Sequence, residues 1–215
     1  MTELTQETSA PRTTGLVIHW AARYDLLTWL FTRGKERAFR ARLLDLAGIQ
    51  RGQSVLDIGC GTGTLAIAAT SHVGPTGSVV GIDASPPMIA RAARKAAKAD
   101  APAIFQLAVA ERLPFPDAQF DVVLSTLMFH HLPRKTRQEC AIEIRRVLKP
   151  GGRVLVVDFG KPQVRRGLLA HFHRHGHVAV DDIETLLAGL DFRTVRTGPV
   201  GLRELHYVVA HAPQS

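Results

Sequence analysis

From Val55 onward the chain alternates short apolar runs with longer stretches whose apolar residues recur every three or four positions. Short runs bounded by turn residues predict buried strands, and the longer stretches predict amphipathic helices. SVLDIG predicts a first strand and TLAIAATSHV the helix after it. A GPTGS turn leads to VVGID, the second strand. SPPMIARAARKAAKA then opens a helix with Ser85 as its cap and Pro86 at its first position. AIFQLAV and FDVVLSTL predict strands three and four. A helix from Arg134 to Leu148 stops at KPGG, ahead of the strand RVLVVDF. After a last helix at DDIETLLAGL, the runs FRTVRTG and LHYVVAHA read as a β-hairpin across a Gly/Pro turn.

Strands that alternate with helices in this way predict an α/β domain built on a mainly parallel sheet. Ahead of the sheet, His19 to Ala47 reads as one or two helices ending at Gly48. The expected organisation is a disordered tail over 1–15 and one domain over 16–215, with a helical lid at 16–48 and a sheet at 49–215.

The 215 residues suffice for one real core. A hydrophobic content of 46% against 21% charged residues reads as soluble and globular. The opening MTELTQETSAPRTTG lacks the apolar core of a secretory signal, and no apolar run reaches the ~18 residues of a membrane span. Two cysteines, Cys60 and Cys140, make no disulfide framework and lack metal-ligand spacing, so a cytoplasmic protein with reduced thiols is expected. The net charge of +8 favours transient contact with an anionic membrane surface. Its basic residues are scattered along helix faces, so no nucleic-acid partner is expected.

The loop after the first strand, in VLDIGCGTGT, places Gly59, Gly61 and Gly63 on alternate positions. Such a loop lets a ligand approach the backbone closely. A dinucleotide fingerprint needs its third glycine one residue later, where Thr64 stands. Asp83, ending the second strand, suits two ribose hydroxyls. Asp57, just ahead of the loop, would repel a pyrophosphate but suits a cationic amino-acid group.

In combination, VLDIGCGTGT, GIDAS, LPFPDAQFDVV, RRVLKPGGRVLVVDF and the terminal strand pair resemble a class I S-adenosylmethionine-dependent methyltransferase over roughly residues 50–210. The lead-in AARYDLLTWLFTRG and the segment VVDFGKP resemble, more loosely, the ubiquinone/menaquinone-biosynthesis C-methyltransferases. The resemblance implies a Rossmann-like, doubly wound, seven-stranded and mostly parallel sheet with a C-terminal antiparallel strand. It implies S-adenosyl-L-methionine as the methyl donor. Asp57, Gly59, Gly61 and Gly63 would then shape the methionine side, Asp83 would hold the ribose, and Ala84 and Met88 would line the adenine. Val109 stands where relatives carry an acidic adenine contact, which leaves the Ala110 N–H and the Glu111 carboxylate in its place. Met88 has helix packing as its other reading.

Methyl transfer from a sulfonium expels a neutral thioether, so positioning matters most and a base is needed only where the acceptor must lose a proton. His130 and His131 follow strand four, and Tyr24 lies in the lid; these are the candidate catalytic residues. A capping or packing role is the alternative for each. MFHHLP replaces the glycine–x–arginine–asparagine stretch of the quinone enzymes. The Asn/Asp-Pro-Pro-aromatic tetrapeptide of amino-group methyltransferases is also missing. Asp158 ends strand five and is expected near the acceptor, while Trp20, Trp29 and Phe31 either line an acceptor pocket or pack the lid. HFHRHGH, with His171, His173, His175 and His177, reads as a basic loop rather than a metal site. The expected protein is a methyltransferase acting on a small apolar or lipid-derived acceptor. Its alternatives are a nicotinamide-dependent oxidoreductase and a non-catalytic S-adenosylmethionine-binding protein.

Overall fold

The computed structural model describes residues 13–17, 34–160, 179–201 and 205–214. In chain order the elements are α1 (Glu36–Ala47), β1 (Ser54–Ile58), α2 (Thr64–Val73), β2 (Ser78–Asp83), α3 (Pro86–Lys98), β3 (Ala103–Leu107) and β4 (Phe120–Thr126). A 3-10 turn (Phe129–His131), α4 (Arg134–Val147), β5 (Leu148–Phe159), α5 (Val180–Ala188), β6 (Arg193–Pro199) and β7 (Leu205–His211) follow. The seven strands form one sheet in the order β3-β2-β1-β4-β5-β7-β6. β1 to β5 are parallel, whereas β7 lies antiparallel between β5 and β6. The predicted hairpin is therefore present, and the sheet is the expected doubly wound one. Among the described residues, no helix is long and apolar enough to cross a membrane.

Strand alternation divides the core into two layers. Leu56, Ile58, Val154 and Val156 point to the side covered by α4 and α5. Val55, Leu124, Leu155 and Val157 point to the side covered by α1 and α2. The strands are apolar on both faces because helices cover both. Phe115 and Phe120 meet edge to face at 5.1 Å. The C-terminus of α1 is gripped from the sheet: Arg153 donates to the Ala47 and Gly48 carbonyls and Arg196 to that of Leu46. Cations at those carbonyls complement the helix dipole.

Two local expectations change. β5 begins at Leu148 rather than after KPGG, because Leu148 pairs with Phe120 before the ladder resumes at Arg153 and Val122. Ser85 has the extended backbone of a helix cap, yet its side chain makes no cap bond and its Oγ is buried without a partner. Of the lid expected at 16–48, residues 18–33 lie outside the described residues, and Glu36–Ala47 forms α1. Residues 13–17, which the sequence reading divides between tail and lid, lie against the turn after β4. There the Leu16 N–H donates to the His131 carbonyl at 3.1 Å, and the Thr14 and Thr136 hydroxyls pair at 2.7 Å.

Candidate functional site

Two clefts open at the carboxyl ends of the central strands, and Gly59 and Leu127 wall both. Open α/β sheets place their ligands at this edge. The loop between β1 and α2 sets the approach. Gly59 has φ +70°, and a Cβ there would sit 2.5 Å from a Met128 side-chain carbon. Gly61, also at positive φ, presents its N–H to Asp83. Gly63 has a packing task beside the expected cofactor contact. At φ +74° its missing Cβ leaves room for Phe105 at 2.6 Å and Ala92 at 2.8 Å, so it brings the loop down onto α3 and β3. Among the described residues it lines neither cleft.

The larger cleft brings together Asp83, Ala84, Met88, Ala110, Glu111 and His131. Asp83 accepts the Gly61 N–H through Oδ2 and the Ser85 N–H through Oδ1, each at 2.9 Å. Burial nevertheless raises its pKa, those two bonds acting in opposition. Val109, standing at the acidic position of relatives, is buried and bridges to Arg112. The tight turn that follows puts Glu111 in the cleft wall, where its Oε2 is buried with no hydrogen-bond partner.

The second cleft is lined by Phe39 and Arg40 of α1, by Asp57, Thr62 and Thr64 around the glycine loop, and by Thr126. Asp57 is 2% exposed and its Oδ2 has no partner among the described residues. Burial, with the Asp83 charge adding, pushes its pKa up to about 7, although the Ala66 N–H and Arg40 pull the other way. An orphaned buried carboxylate beside an open cleft fits a cationic ligand group. The thiol of Cys60, in the same wall, is pushed well up by burial and by the two aspartates, so it is inert. Cys140 is buried in α4.

The two histidines after β4 separate. Successive residues of a 3-10 turn are rotated by about a third of a circle, so neighbours face different ways. His131 lines the larger cleft, and burial together with the His130 charge lowers its pKa to about 4. His130 turns to Asp158, whose Oδ1 lies 2.8 Å from its Nδ1. Asp158 is 0% exposed and also accepts the N–H groups of His130 and Phe159. Expected to meet the acceptor, Asp158 instead holds a histidine. Tyr24, Asp25, Trp20, Trp29, Phe31 and the four histidines of HFHRHGH lie outside the described residues. Among the described residues, no group of three or more His, Cys, Asp or Glu could hold a metal ion.

Sequence reasoning did not single out Thr13, Gly15, Leu16, Val17, Phe39, Arg40, Leu127 and Met128, which contribute to these walls. One signal was absent from the sequence altogether: Leu127 has φ +55°, strain of the kind that collects at functional sites.

This fold is similar to that of class I methyltransferases. Residues 55–152 match the methyltransferase domain family. The ubiquinone/menaquinone biosynthesis C-methyltransferase of Pseudomonas fluorescens (strain SBW25) is 44% identical over 145 residues, which make up 66% of this chain and 56% of that protein. The chain thus spans little more than half the length of the curated relatives it matches. An S-adenosylmethionine-dependent methyltransferase from Aquifex aeolicus superposes with a TM-score of 0.73 at 22% identity, covering 89% of this chain and 97% of that one. A phosphoethanolamine N-methyltransferase from Haemonchus contortus, solved with S-adenosylhomocysteine, gives a TM-score of 0.71 at 21% identity over 84% of this chain and 53% of its own. These two carry the fold.

Proposed function

We propose that the chain is an S-adenosylmethionine-dependent methyltransferase. The observation that carries this reading is the pair of adjoining clefts with an orphaned carboxylate in each. Glu111 Oε2 waits in the first and Asp57 Oδ2 in the second. In this reading the nucleoside occupies the larger cleft, with Asp83 toward the ribose hydroxyls and Ala84 and Met88 beside the adenine. Glu111 takes the adenine contact that Val109 does not make. The amino-acid end reaches past Gly59, its ammonium toward Asp57 and its carboxylate toward Arg40. When bound, S-adenosylmethionine supplies an electrophilic methyl on a positively charged sulfur. The oxidoreductase alternative is disfavoured because a buried carboxylate in the loop would repel a pyrophosphate.

The acceptor of this reading is a small apolar or lipid-derived molecule. The similarity to a quinone-biosynthesis C-methyltransferase supports it, as does the net charge of +8, which would draw the protein to an anionic membrane surface from the cytoplasm. No nucleic-acid partner and no metal are part of it.

Calorimetric titration with S-adenosylhomocysteine, with NADH in a parallel run, tests this function. The nucleoside should bind and NADH should not. Asp83→Ala lowers nucleoside affinity by about 100-fold, as expected for losing charge-assisted bonds. Binding of NADH alone would overturn the reading.

A further inference from the structure

The loop that walls the larger cleft is held from behind by one pair of side chains. Ala108, Ala110 and Glu111 line the cleft, while Val109, Arg112 and Leu113 of the same stretch line a second hollow together with Glu143 and Arg146 of α4. Ala108 lines both, so the wall is a single thickness of chain. A wall with open space on both sides has little packing to fix it. α4 supplies the fixing. Arg146 spends all five of its N–H groups. Nε donates to Glu143 Oε1 at 2.7 Å, and Nη2 donates to Glu143 Oε2 at 2.8 Å and to the Leu113 carbonyl at 3.1 Å. Nη1 donates to the Phe115 carbonyl at 2.7 Å and to Asp117 at 2.8 Å. Glu143 Oε2 in turn accepts the Leu113 N–H at 2.7 Å. Both backbone polar groups of Leu113, two residues past Glu111, are thus held by the pair. The Arg146 carbonyl also accepts the Ala118 N–H at 2.9 Å. The guanidinium lowers the Glu143 pKa and the carboxylate raises that of Arg146, so both stay charged.

Resting on the S-adenosylmethionine reading, we infer that Glu143 and Arg146 are positioning residues for the nucleobase, holding the wall where Glu111 meets the exocyclic amine of adenine. Neither lines the larger cleft, so both act through the loop. The Glu111 Oε2, buried and unpartnered among the described residues, marks where that contact is made. A planar fork ties Leu113, Phe115 and Asp117 to α4 at once, which a lysine ammonium is too compact to do. The precision matters because the base is read by a directional hydrogen bond, and a displacement of about 1 Å forfeits it.

Calorimetric titration of the full-length protein with S-adenosylhomocysteine and with S-inosylhomocysteine, in which a carbonyl oxygen replaces the amine, tests the inference. Wild-type protein should prefer the adenosyl compound by about 100-fold, because the Glu111 carboxylate gains a donor from one and faces an acceptor in the other. Arg146→Lys and Glu143→Gln should each bind S-adenosylhomocysteine about tenfold more weakly, the scale of a misplaced contact. Both should bind S-inosylhomocysteine within about threefold of the wild type, since loosening the wall spares the base that it repels. That retained binding also shows that the variants fold. In a Glu111→Gln background, Glu143→Gln should change S-adenosylhomocysteine affinity by less than about threefold, the contact it serves being already lost. Glu143→Gln keeps one acceptor oxygen, and it decides the matter if Arg146→Lys does not fold. A merely structural role would weaken both nucleosides alike. Equal losses, an unchanged preference in the variants, or no preference in the wild type would overturn the inference. Wild-type protein that binds neither nucleoside would instead defeat the methyltransferase reading.

Discussion

Asp57 and Asp158 are each the penultimate residue of a parallel strand, β1 and β5, and each is buried. They point to opposite faces of the sheet, Asp57 toward α1 and α2 and Asp158 toward α4 and α5. Asp158 has its oxygens occupied by three donors from its own fold. Asp57 has one oxygen with no partner and a pKa lifted to about 7. Burial alone therefore says little about a carboxylate. Where the fold supplies the donors, the group is part of a finished device. Where it withholds one, the protein carries an unfavourable group that a ligand is placed to relieve.

The largest effect should come from breaking the finished end. Asp158→Ala leaves the His130 ring and two backbone N–H groups without their acceptor, and should cost about 3–5 kcal/mol of stability, read from denaturant unfolding. The open end should respond in the other direction. In the unfolded chain Asp57 ionises near 3.8, and in the folded one near 7. Between those values the folded state holds a proton that the unfolded state has lost, so stability falls as pH rises from about 4 to about 7 and stays low above. Asp57→Asn should remove the Asp57 share of that slope and leave the smaller share of Asp83, whose pKa burial also raises. At pH 8 it should stabilise the ligand-free protein by about 3 kcal/mol, the desolvation relieved less the weakened Ala66 bond. A thermal or urea series at pH 5 and pH 8 measures both. The smallest effect belongs to a carboxylate at neither end. Asp117, 76% exposed, pairs with Arg146 at 2.8 Å. Asp117→Ala should change stability by less than about 0.5 kcal/mol, because Arg146 keeps Glu143 and water screens the pair.

The open end was largely legible in the sequence. VLDIGCGTGT states the strand, the turn and the helix in ten residues, and the helix TLAIAATSHV has the bounds of α2. Asp83 was placed by its position at a strand end, which local periodicity determines. What Gly63 packs against was not legible, because the motif names the residue and not what it meets. Only the folded packing of Phe105 and Ala92 shows that. Val109 and Glu111 differ by two positions, and the turn closed by the Val109–Arg112 bridge decides which reaches the cleft.

The finished end was scarcely legible. His130 and His131 are adjacent in sequence and chemically identical, so only the twist of the 3-10 turn gives one to Asp158 and the other to the cleft. Asp158 and His130 are 28 residues apart, and their contact depends on β4 and β5 lying side by side. The segment 13–17 carries no pattern of its own and is placed by bonds to His131 and Thr136. Long-range contacts of this kind leave no periodicity to read.

The measurement that bears most directly on the open end is proton release on binding. The full-length protein is titrated calorimetrically with S-adenosylhomocysteine at pH 6, in two buffers of different ionisation enthalpy, and Asp57→Asn is titrated alongside. At that pH Asp57 is mostly protonated in the ligand-free protein, and the arriving ammonium should ionise it. Wild-type protein should release close to one proton per nucleoside bound and the variant none. Binding without release, or equal release from both proteins, would contradict the assignment of Asp57 to the cationic end of the cofactor.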